Sequence, residues 1–422
     1  MKNETTIPPG YKDTELGIIP EDWEVGELKT LARVNGRIGF RGYTTKDLVK
    51  VGEGALVLGG KHINKNCLDL TDPDFISWEK YYESPEIMVH QKDILLAQRG
   101  TIGKVAIIDT FIGEATINPS LVLLNGFKSS PKYLYYSLLS NQLQRQMLQT
   151  NSITSIPMIS QTQIESLLLI VPSKEEQERI AEVLSDVDEL IATIENAIEK
   201  KRAIKAGAMQ QLLTGKTRLP GFSAPWIEKT LGEIGIFLKG SGISKEQSNT
   251  GDIPAVRYGE LYVNHHEYIK SFSSFISQDL TKSAVRIQKG DILFTASGET
   301  KEEIAKSVSF IDDYEAYAGG DLIILRPQID LDPMFMGYLT NAKFVREQKA
   351  SLGQGDSVVH ITSTAIRAIS LSLPSIDEQR AIAEVLSDMD AEIEALEAKR
   401  EKLIQIKQGM MQELLTGKTR LL

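Results

Sequence analysis

The chain has 422 residues, which is enough for two to four domains, and its 41% apolar and 25% charged residues are typical of a soluble globular protein. A net charge of −10 excludes a protein that binds nucleic acid mainly through a high overall positive charge. The first residues lack the pattern of a signal peptide, and no apolar run reaches the roughly 18 residues of a membrane span. Cys67 is the only cysteine, so an intrachain disulfide is impossible. We therefore expect a cytoplasmic protein with no membrane partner.

Short β-type runs separated by Gly, Asn and Pro follow one another from residue 28 onwards, and a helical piece is predicted over 131–148. An apolar strand then leads into a long amphipathic helix. The region 220–373 repeats this plan, with a strand predicted over 231–238 and a helical piece over 333–352, and a second long helix ends the chain. These elements predict an α+β fold. The expected boundaries are a first globular domain at 1–165, a first long helix at 166–215, a second globular domain at 216–367 and a second long helix at 368–422.

The two long helices are copies of one sequence. Residues 172–219 and 374–421 align without a gap at an offset of 202, and 29 of the 48 positions are identical. The globular regions match more loosely: Trp23 corresponds to Trp226, and we predict both to be core residues. The chain is therefore a tandem duplication in which the helices stayed alike while the globular domains diverged.

Both long helices show the seam of a coiled coil, with apolar residues mostly at steps of three and four. Ser173 suits the start of the first helix, and Gly215 and Gly417 suit the two ends. Because the second domain lies between the helices in the chain, paired helices must run antiparallel, which gives the chain an internal pseudo-twofold symmetry. The predicted seam residues are Ile180, Val183, Val187, Ile191, Ile194, Ile198, Ile204, Ala208 and Leu212 in the first helix, and Ile382, Val385, Met389, Ile393, Leu396, Leu403, Met410 and Leu414 in the second.

The charge of the chain is unevenly distributed. Residues 28–65 hold eight basic side chains against Asp47 and Glu53, a local excess of six positive charges. Such a region favours DNA binding that depends on specific contacts, although a merely solvated loop can have the same composition. Arg and Lys read guanine, and Asn and Gln read adenine, from loops that reach a groove. The candidate DNA-binding residues are Arg37, Arg41, Lys61, His62, Arg99 and Lys104 in the first domain, and Lys239, Arg257, Tyr258, His265, Ser297 and Lys301 in the second.

The sequence shows no catalytic constellation. The Gly-Lys-Thr triplets at 215–217 and 417–419 lack the earlier glycine of a phosphate-binding loop and end helices instead of opening them. His265 and His266 have no third ligand at the spacing of a metal site. Neither a Gly-rich cofactor loop nor the Asn/Asp-Pro-Pro-aromatic tetrad of methyltransferases occurs. We predict a subunit with no catalytic residues, no metal and no cofactor of its own.

Three motifs together resemble the specificity subunit of type I restriction-modification systems. They are PSxxEQxxIAExLSxxD at 172–188 and 374–390, LTGKTRL at the end of each long helix, and LGIIPEDWEVGEL at 16–28. The resemblance covers essentially the whole chain. It implies two target recognition domains, each reading one half of a split, asymmetric DNA site. It also implies double-stranded DNA, two methyltransferase subunits and motor-nuclease subunits as partners, with S-adenosylmethionine, ATP and Mg²⁺ held by those subunits and not by this chain.

Partner subunits would need apolar helix surface outside the seam. The residues predicted to provide it are Leu184, Leu190, Leu213, Leu386 and Ile406. Two alternatives stay open at this point: a coiled-coil protein scaffold without DNA selectivity, and a stand-alone DNA enzyme. The basic segment and the diverged domains argue against the first, and the missing catalytic motifs argue against the second.

Overall fold

The computed structural model describes residues 7–149, 157–355 and 358–421. The chain divides into two compact units, residues 1–194 with 399–422 and residues 195–398. Each unit contains one globular domain, the first half of one long helix and the second half of the other. The boundaries predicted from the sequence follow the order of elements along the chain, and they stay a prediction.

The first globular domain contains two four-stranded sheets, in which all neighbours are antiparallel except one parallel pair, Gly54–Leu58 and Ala115–Ile117. Across the first sheet the strands are Val105–Ile107, Ile94–Ala97, Leu121–Asn125 and Arg33–Gly36, and across the second Ala115–Ile117, Gly54–Leu58, Asp74–Ser77 and Leu48–Val49. Two-stranded ladders pair Tyr11–Thr14 with Gly17–Pro20, Glu24–Glu27 with Leu168–Val171, and Ile63–Asn64 with Cys67–Leu68. The α-helices are Leu28–Leu31, Trp78–Tyr82, Pro131–Leu139, Asn141–Gln149 and Gln161–Glu165, with 3-10 turns at Gly39–Arg41, Thr45–Asp47, Gly60–His62 and Pro85–Ile87.

The second globular domain repeats the first sheet strand for strand and changes both edges of the second. Its first sheet is Ser307–Ser309, Ile292–Thr295, Leu322–Pro327 and Gly235–Lys239, and its second is Val285–Ile287, Ala316–Ala318, Ile253–Val256 and Ser274–Ile276. Two-stranded ladders pair Ile227–Thr230 with Ser370–Leu373 and Ser297–Gly298 with Val359–His360. The α-helices are Leu231–Ile234, Tyr258–Val263, Pro333–Thr340, Lys343–Leu352 and Ser363–Arg367, with a 3-10 turn at Leu280–Lys282. The predicted α+β fold with an internal repeat is confirmed.

The first sheet of each domain is buried on both faces. Because side chains alternate along a strand, Ile94 and Leu96 face a core that includes Ile180 of a long helix, whereas Leu95 and Ala97 face the second sheet. The second domain alternates in the same way. Burial on both faces explains why these central strands read as unbroken apolar runs.

Two predictions about local structure are wrong in detail. Residues 231–238 are a helix, Leu231–Ile234, followed by a strand, because the N–H and hydroxyl of Thr230 donate to Glu233 at 2.6 and 2.8 Å and cap the helix. The helical pieces predicted over 131–148 and 333–352 are each two helices, since Ser140 and Ala342 have extended backbones.

The two long helices are Lys174–Leu212 and Ile376–Leu414. Ser173 caps the first, its hydroxyl accepting the N–H of Glu176 at 3.2 Å. Gly215 and Gly417 end the helices with φ of +68° and +73°, a left-handed conformation that glycine adopts without strain. The interpretation of the Gly-Lys-Thr triplets as helix stops is confirmed. None of the helices that the structure describes is both long and apolar enough to cross a membrane.

A buried carboxylate at the start of each long helix joins three separate parts of its unit. In the first unit Glu176 accepts a hydrogen bond from the indole N–H of Trp23 at 2.9 Å. It also forms an ion pair with Arg420, with 2.7 Å between Oε1 and Nε. Trp23 is fully buried, as predicted, and the Arg420 guanidinium lies 5.2 Å from the centre of its ring. We call this set of three side chains the Arg–Glu–Trp anchor.

The second unit has the same anchor at equivalent positions. Glu378 accepts from the indole of Trp226 at 3.2 Å and from Arg218 at 2.6 Å. Trp226 is half-buried and packs against the second core, as predicted for a core residue.

A second contact sets the helix pairing within each unit. In the first unit Lys407 lies 2.6 Å from Asp188, whose carboxylate also accepts the hydroxyl of Tyr136 at 2.8 Å. Glu176 therefore faces Arg420 while the later Asp188 faces the earlier Lys407, so the helices run antiparallel, as predicted.

The second unit repeats this arrangement with Lys205 2.6 Å from Asp390, which accepts the hydroxyl of Tyr338 at 2.6 Å. The seam prediction fails at Ile204, which is 48% exposed. It follows Ile198 by six residues, about 240° around the helix, and so points away from the seam.

We expect Glu176→Ala to lower the free energy of unfolding of the first unit by about 3 kcal/mol, because Arg420 and the Trp23 indole lose a nearly buried partner. Urea denaturation followed by tryptophan fluorescence measures this loss. The matched control is Glu175→Ala, one residue away, whose side chain is 78% exposed and, among the residues that the structure describes, pairs with Arg179 on its own helix. Equal destabilisation by both variants would contradict the role assigned to the anchor.

Candidate nucleic-acid interface

In the first domain three loops meet around one turn at the end of the central strands. The Ser120 carbonyl accepts the N–H of Arg99 at 3.3 Å, and the Ser120 hydroxyl accepts the N–H of Gly60 at 3.0 Å. Lys104 donates to the carbonyl of Ile63 at 3.1 Å. The loops that carry Lys61, Arg99 and Lys104 are therefore neighbours, although some 40 residues separate the first from the other two.

Two of the basic side chains at this edge, Arg99 and Lys61, differ in how far their charge is paired with other side chains. Arg99 is exposed, and its guanidinium contacts only the Met158 sulfur among the partners at hydrogen-bond distance in the described residues, at 3.2 Å. Lys61 is half-exposed and paired with Asp72 at 2.8 Å and Asp74 at 3.0 Å, hydrogen bonds that raise its pKa. Arg99 is thus the cation best placed to meet a ligand at this edge.

Arg37, which was predicted to read DNA, lies inside the first domain. Arg37 is only 7% exposed, and its guanidinium donates to the Ile117 carbonyl at 3.0 Å and to the Thr116 hydroxyl at 3.1 Å. Burial lowers its pKa. Arg41 is half-buried and lies 3.3 Å from Glu86. The local excess of positive charge in 28–65 is therefore partly internal and partly neutralised.

His62, another candidate DNA-binding residue, is buried and caps a turn. Its Nδ1 accepts the N–H of Gly59 at 2.9 Å, so the proton lies on Nε2, which donates to the Asp72 carbonyl at 3.2 Å. At the equivalent turn of the second domain, Glu260 accepts the N–H of Arg257 at 3.3 Å. Unlike side chains thus close the same turn in the two domains.

Glu260 also engages the side chain of Arg257, with 3.2 Å between Nε and Oε1. Arg257 is therefore partly neutralised by its own turn. Tyr258, the next residue, is 42% exposed.

His265, a candidate DNA-binding residue of the second domain, is also buried. The ring is 4% exposed, and burial lowers its pKa. Its Nε2 has no hydrogen-bond partner within the described ranges. DNA binding by His265 stays a prediction.

In the second domain Lys239 and Ser297 lie on one groove. Ser297 and Gly298 form a short antiparallel ladder with His360 and Val359. The groove has a volume of about 480 Å³ and is lined by Phe237, Leu238, Lys239, Ala296, Ser297, Asp321, Leu322, Ile323, His360, Ile361, Thr362 and Ser363. Lys301 is exposed on the loop that follows Ser297.

Sequence reasoning missed His360, Thr362 and Ser363. Their signal was a polar cluster, His360 with Thr362, Ser363 and Thr364, that follows the apolar pair Val358 and Val359. The cluster lies in the segment that corresponds to Met158 and Ser160 of the first domain, at the offset of 202.

Arg99 and Ser297 occupy the same place in their two domains. Each follows the central strand of the first sheet, and each forms a backbone bridge to the segment before the next short helix, Arg99 to Met158 and Ser297 to His360. One domain thus presents a guanidinium where the other presents a hydroxyl beside an imidazole.

The predicted partner-binding residues divide into two groups. Leu184, Leu213 and Leu386 are at most 1% exposed and belong to the domain cores, because each lies where a long helix packs on its domain. Partner binding by these three residues stays a prediction. Leu190 and Ile406 are each 43% exposed.

The described residues contain no group of three or more His, Cys, Asp or Glu side chains that could hold a metal ion. The chemistry of both edges is that of hydrogen bonding and charge: Arg, Lys, Ser, Thr and His side chains on loops held by a rigid sheet. That inventory suits the edges of bases and the phosphates of a nucleic acid.

Comparison with known proteins agrees with this arrangement. The family model for the type I restriction modification DNA specificity domain matches residues 20–201 and 224–406. The chain is 26% identical over 429 residues to the specificity subunit of the type I restriction enzyme MjaVIII of Methanocaldococcus jannaschii, covering 95% of this chain and 94% of the relative.

Among solved structures, the fold is similar to the S subunit of a type I restriction-modification system from M. genitalium, with a TM-score of 0.58, 17% identity, and coverage of 93% of this chain and 96% of that one. The two matched regions of the family model together span most of the sequence and coincide with the two repeats. The chain therefore belongs to the family of type I restriction-modification DNA specificity proteins.

Proposed function

We propose that this chain reads a bipartite, asymmetric DNA site, one half with each globular domain, and directs methyltransferase and restriction subunits to it. The observation that carries the proposal is the pair of equivalent edges with unlike chemistry. Arg99 marks the edge of the first domain, and Ser297 with His360 marks that of the second. Because a guanidinium and a hydroxyl favour different base edges, the two domains select different half-sites.

The residues that support reading in the first domain are Lys61, Arg99 and Lys104. In the second domain Lys239, Tyr258, Ser297 and Lys301 are exposed or partly exposed, and His360 and Thr362 join them. These side chains lie on loops, single helical turns and the ends or short ladders of edge strands, while the central strands beneath them are buried. A rigid base with variable loops allows the recognised sequence to change without loss of the fold.

The enzymatic steps belong to the partner subunits in this proposal. Two methyltransferase subunits would bind S-adenosylmethionine, and motor-nuclease subunits would use ATP and Mg²⁺, all in the cytoplasm. This chain determines the DNA sequence at which those subunits act. Leu190 and Ile406, together with Ile204, give each unit exposed apolar side chains on the long helices against which a partner helix can pack.

A methylation assay on a random DNA library tests the proposal. The chain is mixed with a methyltransferase subunit of its own system and S-adenosylmethionine, and the methylated sequences are read. We expect one split motif with two unlike halves and a constant unread gap. Methyltransferase binding without selection of any sequence would favour the scaffold alternative and overturn the proposal, as would methylation by this chain alone.

We expect Arg99→Ala to relax the base preference at one position of the first half-site, at a cost of about 1–3 kcal/mol in affinity for the cognate site. The second half-site should keep its preference. Competition binding with duplexes altered in either half measures both effects.

The matched control is Lys128→Ala. Lys128 is an exposed cation beyond the far end of strand Leu121–Asn125, whose near end follows Ser120. The 5 residues of that strand span about 16 Å. Equal losses on cognate and random DNA after Arg99→Ala would show a phosphate contact and not base reading.

A further inference from the structure

Lys349 is a buried lysine in the second domain. Its side chain is 1% exposed, and its ammonium donates to the Ala305 carbonyl at 2.7 Å and to the Ser307 hydroxyl at 2.9 Å. It also lies 5.1 Å from the centre of the Phe294 ring. Among the described residues no carboxylate pairs with it, and burial lowers its pKa well below the usual value.

The atoms that Lys349 holds form the stem of the loop 296–305. This loop joins strands Ile292–Thr295 and Ser307–Ser309, and the N–H of Thr295 donates to the Lys306 carbonyl at 3.0 Å across its base. Ala305 has φ of +54°, a left-handed conformation that costs free energy for any residue except glycine. Lys349 donates its hydrogen bond to the carbonyl of this same residue.

The held loop is the one that carries the proposed DNA-reading residues Ser297 and Lys301. Its first part is fixed independently, because the Tyr262 hydroxyl donates to the Ser297 carbonyl at 2.8 Å. Lys349 fixes its last part. A loop held at both ends presents its side chains at defined positions, which base reading requires.

The first domain holds the equivalent loop with a different side chain. Gln144 donates to the Gly103 carbonyl at 2.9 Å and to the Leu138 carbonyl at 2.8 Å. Gly103 has φ of +85° and precedes Lys104, whose carbonyl accepts the N–H of Ala97 at 2.9 Å. Gly103 therefore stands where Ala305 stands in the second domain, at the stem of the loop that carries Arg99.

The helices that carry Gln144 and Lys349 can be aligned with each other by a contact that both make. Gln146 donates to the Leu168 carbonyl at 2.9 Å, and Gln348 donates to the Ser370 carbonyl at 3.0 Å, an offset of 202 on both sides. In that register the residue equivalent to Lys349 is Met147, which is fully buried. An apolar side chain of similar length therefore fits the position.

We propose that Lys349 and Gln144 are positioning residues for sequence reading: each holds, from inside its domain, the stem carbonyl of the loop that presents the base-reading side chains. The inference rests on the proposed function. It assigns a role in specificity to two side chains that do not touch DNA.

Lys349→Met tests the proposal in the full chain, assembled with its methyltransferase subunits. The variant keeps the length and packing of the side chain and removes the two hydrogen bonds to the loop. We expect discrimination at the second half-site to fall at least tenfold, with discrimination at the first half-site unchanged. Circular dichroism and thermal unfolding check that the domain is folded.

Gln144→Met is the reciprocal variant, and it keeps the test decisive if Lys349→Met does not fold. It should relax only the first half-site. A folded variant of either kind that leaves its own half-site unchanged, or that weakens both half-sites equally, overturns the inference. If the wild-type complex itself selects no split sequence, the proposed function fails, and with it the inference.

Discussion

The carboxylates of Glu176 and Glu378 constrain the whole chain. Each lies at the start of a long helix, almost removed from solvent, and accepts hydrogen bonds from a tryptophan of the globular domain and an arginine that follows the other helix. A buried carboxylate without such donors would cost several kcal/mol. Three distant segments therefore have to meet at one place in each unit. The antiparallel helix pairing and the docking of the domain on it follow from that constraint.

Much of this fold could be predicted because the duplication repeats its own signals. The same apolar spacing and the same glycine stops occur twice, so the two helices and their pairing were predictable. The individual site residues were not. Arg37, His62 and His265 have the same local pattern as Arg99, a basic side chain near glycine or a turn, yet they are buried. Arg37 is held by the Ile117 carbonyl, 80 residues away, and no local pattern contains that information.

Divergence between the two domains leaves the anchors unchanged and alters what surrounds the reading edges. The loop after the central strand has six residues in the first domain, 98–103, and ten in the second, 296–305. The second sheet has its extra edge strand on opposite sides in the two domains. The carbonyl at the stem of the loop accepts a hydrogen bond from Gln144 in the first domain and from Lys349 in the second. One scaffold can therefore carry two readers whose loops differ in length, charge and support.

The central claim is that equivalent edges of the two domains meet different halves of one DNA site. A photo-crosslinking amino acid, benzoylphenylalanine, placed at position 99, at position 297 or at position 128 tests it on the duplex that the complex methylates. The account predicts that position 99 crosslinks only to bases of the first half-site, position 297 only to bases of the second, and position 128 to neither. Crosslinks from 99 and 297 to the same half-site, or yields no higher than from position 128, would contradict it.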